Sequence, residues 1–156
     1  MQNSDYIDVT YDDKSGGVSA VHKRHKFDKQ IGAYGVRRGD YEREALKVLR
    51  ESGFRVVLES ELSSPGKKIC DGYLDDIPME IKAIEGNGTW TISTKLRNAV
   101  KQHARCVVLY FPEKERYSSF RVNEGIRLFQ SSSDYTHALR PERIMVIVRD
   151  KLERCQ

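Results

Sequence analysis

Long apolar runs are missing from this chain of 156 residues. No stretch approaches the roughly 20 residues needed to cross a bilayer, so a membrane-spanning protein is excluded from the expectations. The opening MQNSDYIDV has neither a basic region nor an apolar segment. No secretory leader is read there, and a cytoplasmic protein is expected. Cysteine is scarce: Cys70, Cys106 and Cys155 are an odd number and form no CxxC. They read as buried or free thiols in a reducing compartment rather than a disulfide framework. Internal repeats and low-complexity tracts are absent, and neither a sequence-reading motif for nucleic acid nor an aromatic stacking platform is read from the sequence.

What is present is charge. Lys and Arg number 27 against 23 acids, a net charge of +4 with a pI near 8.9. That balance suits a polyanionic partner without demanding one. The length suits one domain with a real core. Residues 1–38 read as an N-terminal strand followed by a basic arm, and residues 39–156 as an α+β domain. Tyr6–Tyr11 alternates and is rich in strand formers. His22 and His25, inside the basic cluster from Val21 to Lys26, would share a face if that cluster were helical. Gly32, Gly35 and Gly39 with Arg37 and Arg38 make a loop able to approach a phosphate backbone, though with no known phosphate-loop spacing.

From Asp40 to Ser52, Tyr41, Ala45, Val48 and Leu49 follow helical spacing, with Asp40 as the cap and Gly53 as the stop. Glu42 and Glu44 fall in its first turns, where acids favour the helix dipole. Phe54 to Leu62 reads as a strand, Ser63–Gly66 as a turn, and Gly86–Gly88 as a loop. A second helix is expected from Thr91 or Ser93 to Ala104, its buried stripe formed by Ile92, Leu96, Ala99, Val100 and His103. Arg97, Lys101 and Arg105 recur every four residues as a basic ridge, with Lys95 nearby and Gln102 off to the side. Cys106–Phe111 is a buried strand, Val122 to Phe129 a third helix, Ile144–Val148 another buried strand, and the tail is charged. The expected architecture is α+β in one domain: helix, three-stranded meander, helix, strand, helix, strand, around one mixed sheet.

The chemistry concentrates in KKICDGYLDDIPMEIKAIE, Lys67 to Glu85. Asp75-Asp76 is a two-residue hairpin turn, since Asp tolerates the backbone angles such turns require. Pairing then runs outward from Leu74 with Ile77 to Asp71 with Glu80, and opposed residues share a sheet face. The period of 2 adds Lys82 to that face. Two neighbouring carboxylates need a cation or a proton. A divalent metal with a lysine alongside meets that need and suits attack of water on a phosphodiester.

Asp71 on one strand and Glu80-x-Lys82 on the next, set between two helices, resembles the core of the PD-(D/E)XK nucleases over about residues 40–111. That family includes restriction enzymes, repair nucleases and the toxin tips of bacterial contact-dependent inhibition systems. The resemblance implies a nuclease cleaving DNA or RNA, with Asp71 and Glu80 holding Mg²⁺ or Mn²⁺ and Lys82 orienting water or stabilising charge at phosphorus. It further implies that Glu42 (or Glu44) is the acid from the first helix and Gln102 the glutamine of some branches. Lys95, Arg97, Lys101 and Arg105 would bind the nucleic acid, and a toxin would have an immunity protein as a second partner. Cys70 stands where many members carry proline, and nine residues from Asp71 to Glu80 is a tight spacing. A second likeness is to the metal-independent ribonuclease domains grouped with barnase, EndoU and colicin-type nucleases. There Lys82 would act with His22, His25 or Thr91 in acid–base attack of a 2′-hydroxyl. A third reading is a binding domain whose charges form surface ion pairs.

Overall fold

The computed structural model describes residues 5–60, 70–132 and 140–155. Its strands are β1 (Tyr6–Tyr11), β2 (Val18–His22), β3 (Arg55–Leu58), β4 (Gly72–Leu74), β5 (Ile77–Ala83), β6 (Cys106–Phe111), β7 (Arg143–Val148) and β8 (Lys151–Cys155). They form one eight-stranded mixed sheet whose spatial order is the chain order. The helices are α1 (Arg38–Glu51), α2 (Thr91–Lys101) and α3 (Ser119–Gln130), with a single 3-10 turn at Lys114–Arg116. The α+β single-domain architecture is therefore as expected from the sequence.

β6 is the spine. All six of its residues are buried, and the alternation of the strand divides the core in two. Cys106, Val108 and Tyr110 pack with Leu46, Leu49 and other residues of α1. Val107, Leu109 and Phe111 pack with Leu96 and Val100 of α2 and Phe129 of α3. β5, β6 and β7 are parallel to one another, so α2 and α3 are crossover helices that both begin at the C-terminal edge of those strands. Where α3 crosses α2, Gly125 touches Ile92 so closely that an added Cβ would lie 2.6 Å from the Ile92 Cβ.

Several local expectations are corrected. Residues 6–22 enter the main sheet: β1 pairs antiparallel with β2, and β2 runs parallel to β3. The basic cluster is accordingly a strand end followed by a turn, not a helix, and His22 and His25 share no helical face. α1 begins at Arg38 instead of after an Asp40 cap. Backbone carbonyls of the preceding loop satisfy its first amides, with Arg38 N–H donating to Gln30 O and Gly39 N–H to Asp28 O. α2 stops at Lys101, three residues short of the expected end, because His103 turns into the left-handed region at φ +68°. His103 is consequently exposed rather than part of the buried stripe. The charged C-terminal stretch forms β8 against β7. Leu62, the turn at Ser63–Gly66 and residues 67–69 of the Lys67–Glu85 stretch lie outside the described residues.

Candidate active site

The hairpin register is Leu74↔Ile77, Tyr73↔Pro78 and Gly72↔Met79, closed by Asp75 and Asp76 at φ +47° and +68°. Both turn residues are left-handed, as a type I′ turn requires. β4 begins at Gly72, whereas β5 continues to Ala83, so strand pairing on this edge of β5 stops at Met79. Asp71 fills the next step with its side chain. Its N–H donates to Glu80 Oε1 at 2.8 Å, and its Oδ2 accepts from the Ile81 N–H at 2.8 Å.

Met79 and Ile81 point into the α1 core, which turns Glu80 and Lys82 to the α2 side of the sheet. Lys82 Nζ lies 3.0 Å from Glu80 Oε2 and donates at 2.9 Å to Oε1 of Gln102, the residue that closes α2. Glu42 arrives from the first turns of α1. Its Oε1 stands 3.5 Å from His25 Nε2, and its Oε2 is buried without a hydrogen-bond partner. Glu42, Asp71, Glu80, Lys82 and Lys95 all line one cavity of about 500 Å³. Gln102 joins the group through Lys82.

Electrostatic strain concentrates on the two opposed carboxylates. Burial, and then the charge of Glu42, push Asp71 above the ordinary carboxylate range. Burial, and then Asp71, do the same to Glu80, with Lys82 pulling the other way. Lys95 is shifted down by burial, with Lys82 and Arg38 contributing.

The side chains gathered here offer oxygen donors. Two carboxylates that repel each other face the cavity beside the orphaned Glu42 oxygen, and no sulfur or imidazole ligand is among them. Among the described residues, no three His, Cys, Asp or Glu side chains are grouped so that they could hold a metal ion. Mg²⁺ is commonly held by one or two carboxylates with water and substrate phosphate completing its shell, so an open set is compatible with it.

Other candidates fall elsewhere. His22 Nδ1 accepts from the Arg24 N–H, and its ring meets Tyr6 edge-on. His25 is buried, with Nδ1 at 2.7 Å from the Glu59 carbonyl. Neither lines the cavity. The basic ridge is broken: α2 ends at Lys101, and Arg105 lies beyond it beside Pro78, at the start of β5. Arg105 pairs there with Glu142 at 3.0 Å. Of the four candidate cations only Lys95 reaches the cavity wall.

Sequence reasoning passed over Glu85. Its carboxylate accepts from Arg38 Nε at 3.0 Å, Tyr41 Oη at 3.1 Å and the Ala33 N–H at 2.9 Å. It ties the glycine loop before α1 to the end of β5. A Cβ at Gly32 would fall 2.0 Å from Glu85 Oε2, so any larger residue there would have to push that carboxylate aside. The sequence signal was Gly32 itself, which could be read as a close approach but not toward which partner.

No family model and no curated protein matches the chain. Among solved structures, it is similar to a chain of the CdiA-CT/CdiI toxin and immunity complex from Burkholderia pseudomallei, at 16% identity and a TM-score of 0.55. The likeness covers 88% of this chain and 98% of that one. At that identity it shows a shared fold. Among the described residues, no helix is long and apolar enough to cross a membrane.

Proposed function

We propose that the chain is a toxin-type nuclease of the PD-(D/E)XK kind, hydrolysing phosphodiester bonds of DNA or RNA with Mg²⁺ or Mn²⁺. The observation that carries this reading is Lys82 Nζ, held between Glu80 and Gln102 on the wall of a cavity that Asp71 and Glu42 share. Asp71 and Glu80 would hold the dication, and Glu42 would complete the anionic side. A dication there supplies charge neutralisation at phosphate and makes water more acidic. Lys82 is fixed by two acceptors and can meet a phosphate oxygen or orient the attacking water. Gln102 keeps the ammonium aimed into the cavity. The likeness to a chain of a toxin and immunity complex is consistent with this reading and adds an immunity protein as a partner.

The placement of the two histidines weighs against the imidazole part of the acid–base ribonuclease reading. His25 is buried between Glu42 and the Glu59 carbonyl, and His22 packs on Tyr6.

Purified protein should nick or degrade plasmid DNA or mixed tRNA with Mg²⁺ or Mn²⁺ and stop on addition of EDTA. Lys82→Ala should lose most turnover with Mn²⁺ binding by calorimetry nearly intact, whereas Glu80→Ala should lose both. Full cleavage in EDTA would reject the metal mechanism. No cleavage of any nucleic acid, together with no Mn²⁺ heat, would reject the nuclease.

A further inference from the structure

Trp90 is 60% exposed and Phe120 is 77% exposed, among the largest apolar exposures of the described chain. They lie far apart in sequence, and the fold sets both at the same edge of the sheet. Because β5, β6 and β7 are parallel, both crossover helices start at the C-terminal edge of the sheet. Trp90 precedes the first residue of α2, and Phe120 is the second residue of α3. The Arg121 guanidinium, next to Phe120, donates to Gly86 O at 2.6 Å and Gly88 O at 3.4 Å. It thereby fastens the start of α3 to the loop that carries Trp90. That loop is the continuation of Glu85, which lines the cavity. Lys95, also on the cavity wall, is five residues along α2 from Trp90, roughly 7–8 Å by helical rise.

Cations crowd the same edge. Arg121 is lowered by burial and then by Arg116, and Lys95 by burial and then by Lys82 and Arg38. Arg116 donates to the Tyr34 hydroxyl at 3.2 Å, which in turn donates to the Glu85 carbonyl at 2.7 Å. Five cations thus fall into two repelling sets, Arg121 with Arg116 and Lys95 with Lys82 and Arg38, and within the second Arg38 pairs with Glu85 and Lys82 with Glu80. Exposed aromatic side chains beside a concentration of cations match a polymer that alternates flat bases with phosphates. They match a duplex poorly, because its bases are already stacked on one another.

We propose that Trp90 and Phe120 form a stacking platform for unpaired nucleotides, leading a single strand of DNA or RNA into the cavity of Lys82. The proposal deepens the nuclease reading by naming its substrate class as single-stranded or locally unpaired nucleic acid. Rings stacked on bases tolerate any sequence, since every base has a π face. The flanking cations add a salt-dependent but equally sequence-blind contribution.

Trp90 is the single tryptophan of the chain, so its fluorescence reports on the platform alone. Binding is measured in EDTA, where the proposed chemistry is off, using labelled 12-residue single strands of DNA and RNA and their duplexes. Single strands should quench Trp90, and duplexes of the same length should bind at least about tenfold more weakly without quenching. Trp90→Ala and Phe120→Ala should each weaken single-strand binding about tenfold, with little effect on duplex binding. Trp90→Phe should restore most of it, and circular dichroism should be unchanged throughout. Single strands that bind without quenching, or equal affinities for duplex and single strand, would overturn the platform. So would silence of Trp90 toward every nucleic acid, which would leave the two rings to a protein partner. Quenching without any cleavage in Mg²⁺ or Mn²⁺ would sink the nuclease reading and keep the platform. Cleavage with a silent Trp90 would do the reverse.

Discussion

Asp71 and Glu80 are bound to each other through backbone as well as opposed by charge: the Asp71 amide donates to Glu80 Oε1 at 2.8 Å. The hydrogen bond fixes the carboxylate of Glu80 where burial and the neighbouring Asp71 make its negative charge unfavourable. The cavity is thus held in an arrangement that a cation would relax.

Removing one of the two charges should stabilise the metal-free protein. Asp71 and Glu80 are both raised above their ordinary values of 3.8 and 4.5. Between those values and the raised ones, the native state holds more protons than the unfolded state. Stability therefore falls as pH rises through that range and levels once both groups are ionised. Asp71→Asn, which can still accept from the Ile81 N–H, should raise stability at pH 8 by about 1–2 kcal/mol. For a chain of this size that is about 2–8 °C in Tm, and the gain should vanish near pH 4. Mn²⁺ should stabilise the wild type more at pH 8 than at pH 5, and not stabilise the variant. Thermal melts across pH check both, and a variant less stable than wild type at pH 8 would contradict the argument.

Gln102 should matter for turnover and not for affinity. It touches the site only through Lys82 Nζ, at 2.9 Å. Gln102→Ala should lower kcat about 10- to 100-fold with KM and Mn²⁺ affinity nearly unchanged, because the ammonium loses an orienting acceptor. Steady-state cleavage with calorimetry separates the effects, and an unchanged kcat would remove Gln102 from the site.

The hairpin turn sets the register that opposes Asp71 to Glu80. Asp76 stands at φ +68°, where a β-branched residue is strained. Asp76→Val should cost about 1–2 kcal/mol or more, while Asp76→Gly should be neutral or stabilising. Chemical denaturation of the two variants is the check. A tolerated valine would mean that the turn does not set the register.

Gly125 should resist enlargement. Its added Cβ would press on Ile92 at 2.6 Å, so Gly125→Ala should cost about 1–3 kcal/mol. Ile92→Ala, which removes the Cγ2 that would meet the new methyl at 2.6 Å, should cost less in the Gly125→Ala background than in the wild type, and a double-mutant cycle measures the coupling.

The patterning of the chain carried its local structure. Val107, Leu109 and Phe111 alternate with Cys106, Val108 and Tyr110 in a continuous apolar run of six bounded by Pro112, and its shortness and β-branched content favour a strand covered on both faces. Two adjacent aspartates between strand formers specify a tight turn, and the period of 2 then puts Glu80 and Lys82 on one side of β5. Helical spacing placed α1 and α2 to within a few residues, and missed their ends because the caps are tertiary. Arg38 and Gly39 find their acceptors in the Asp28–Gln30 loop, and His103 ends α2 by a left-handed turn that no glycine announces.

Contacts between segments distant in sequence needed the fold. Glu85 meets Arg38, Tyr41 and Ala33 across more than forty residues, and no periodicity encodes such a meeting. Lys82 finds Gln102 because the crossover from β5 returns α2 along the same strand. His25 looked like a free imidazole in a basic arm, yet the parallel pairing of β2 with β3 draws it under Glu42. Trp90 and Phe120 were two unremarked aromatics until two parallel crossovers set the starts of α2 and α3 at one edge. Sequence determines which residues can form strands, turns and helical faces, because those depend on neighbours within a few bonds. Which charges share a cavity depends on how the sheet closes, and only the assembled chain decides that.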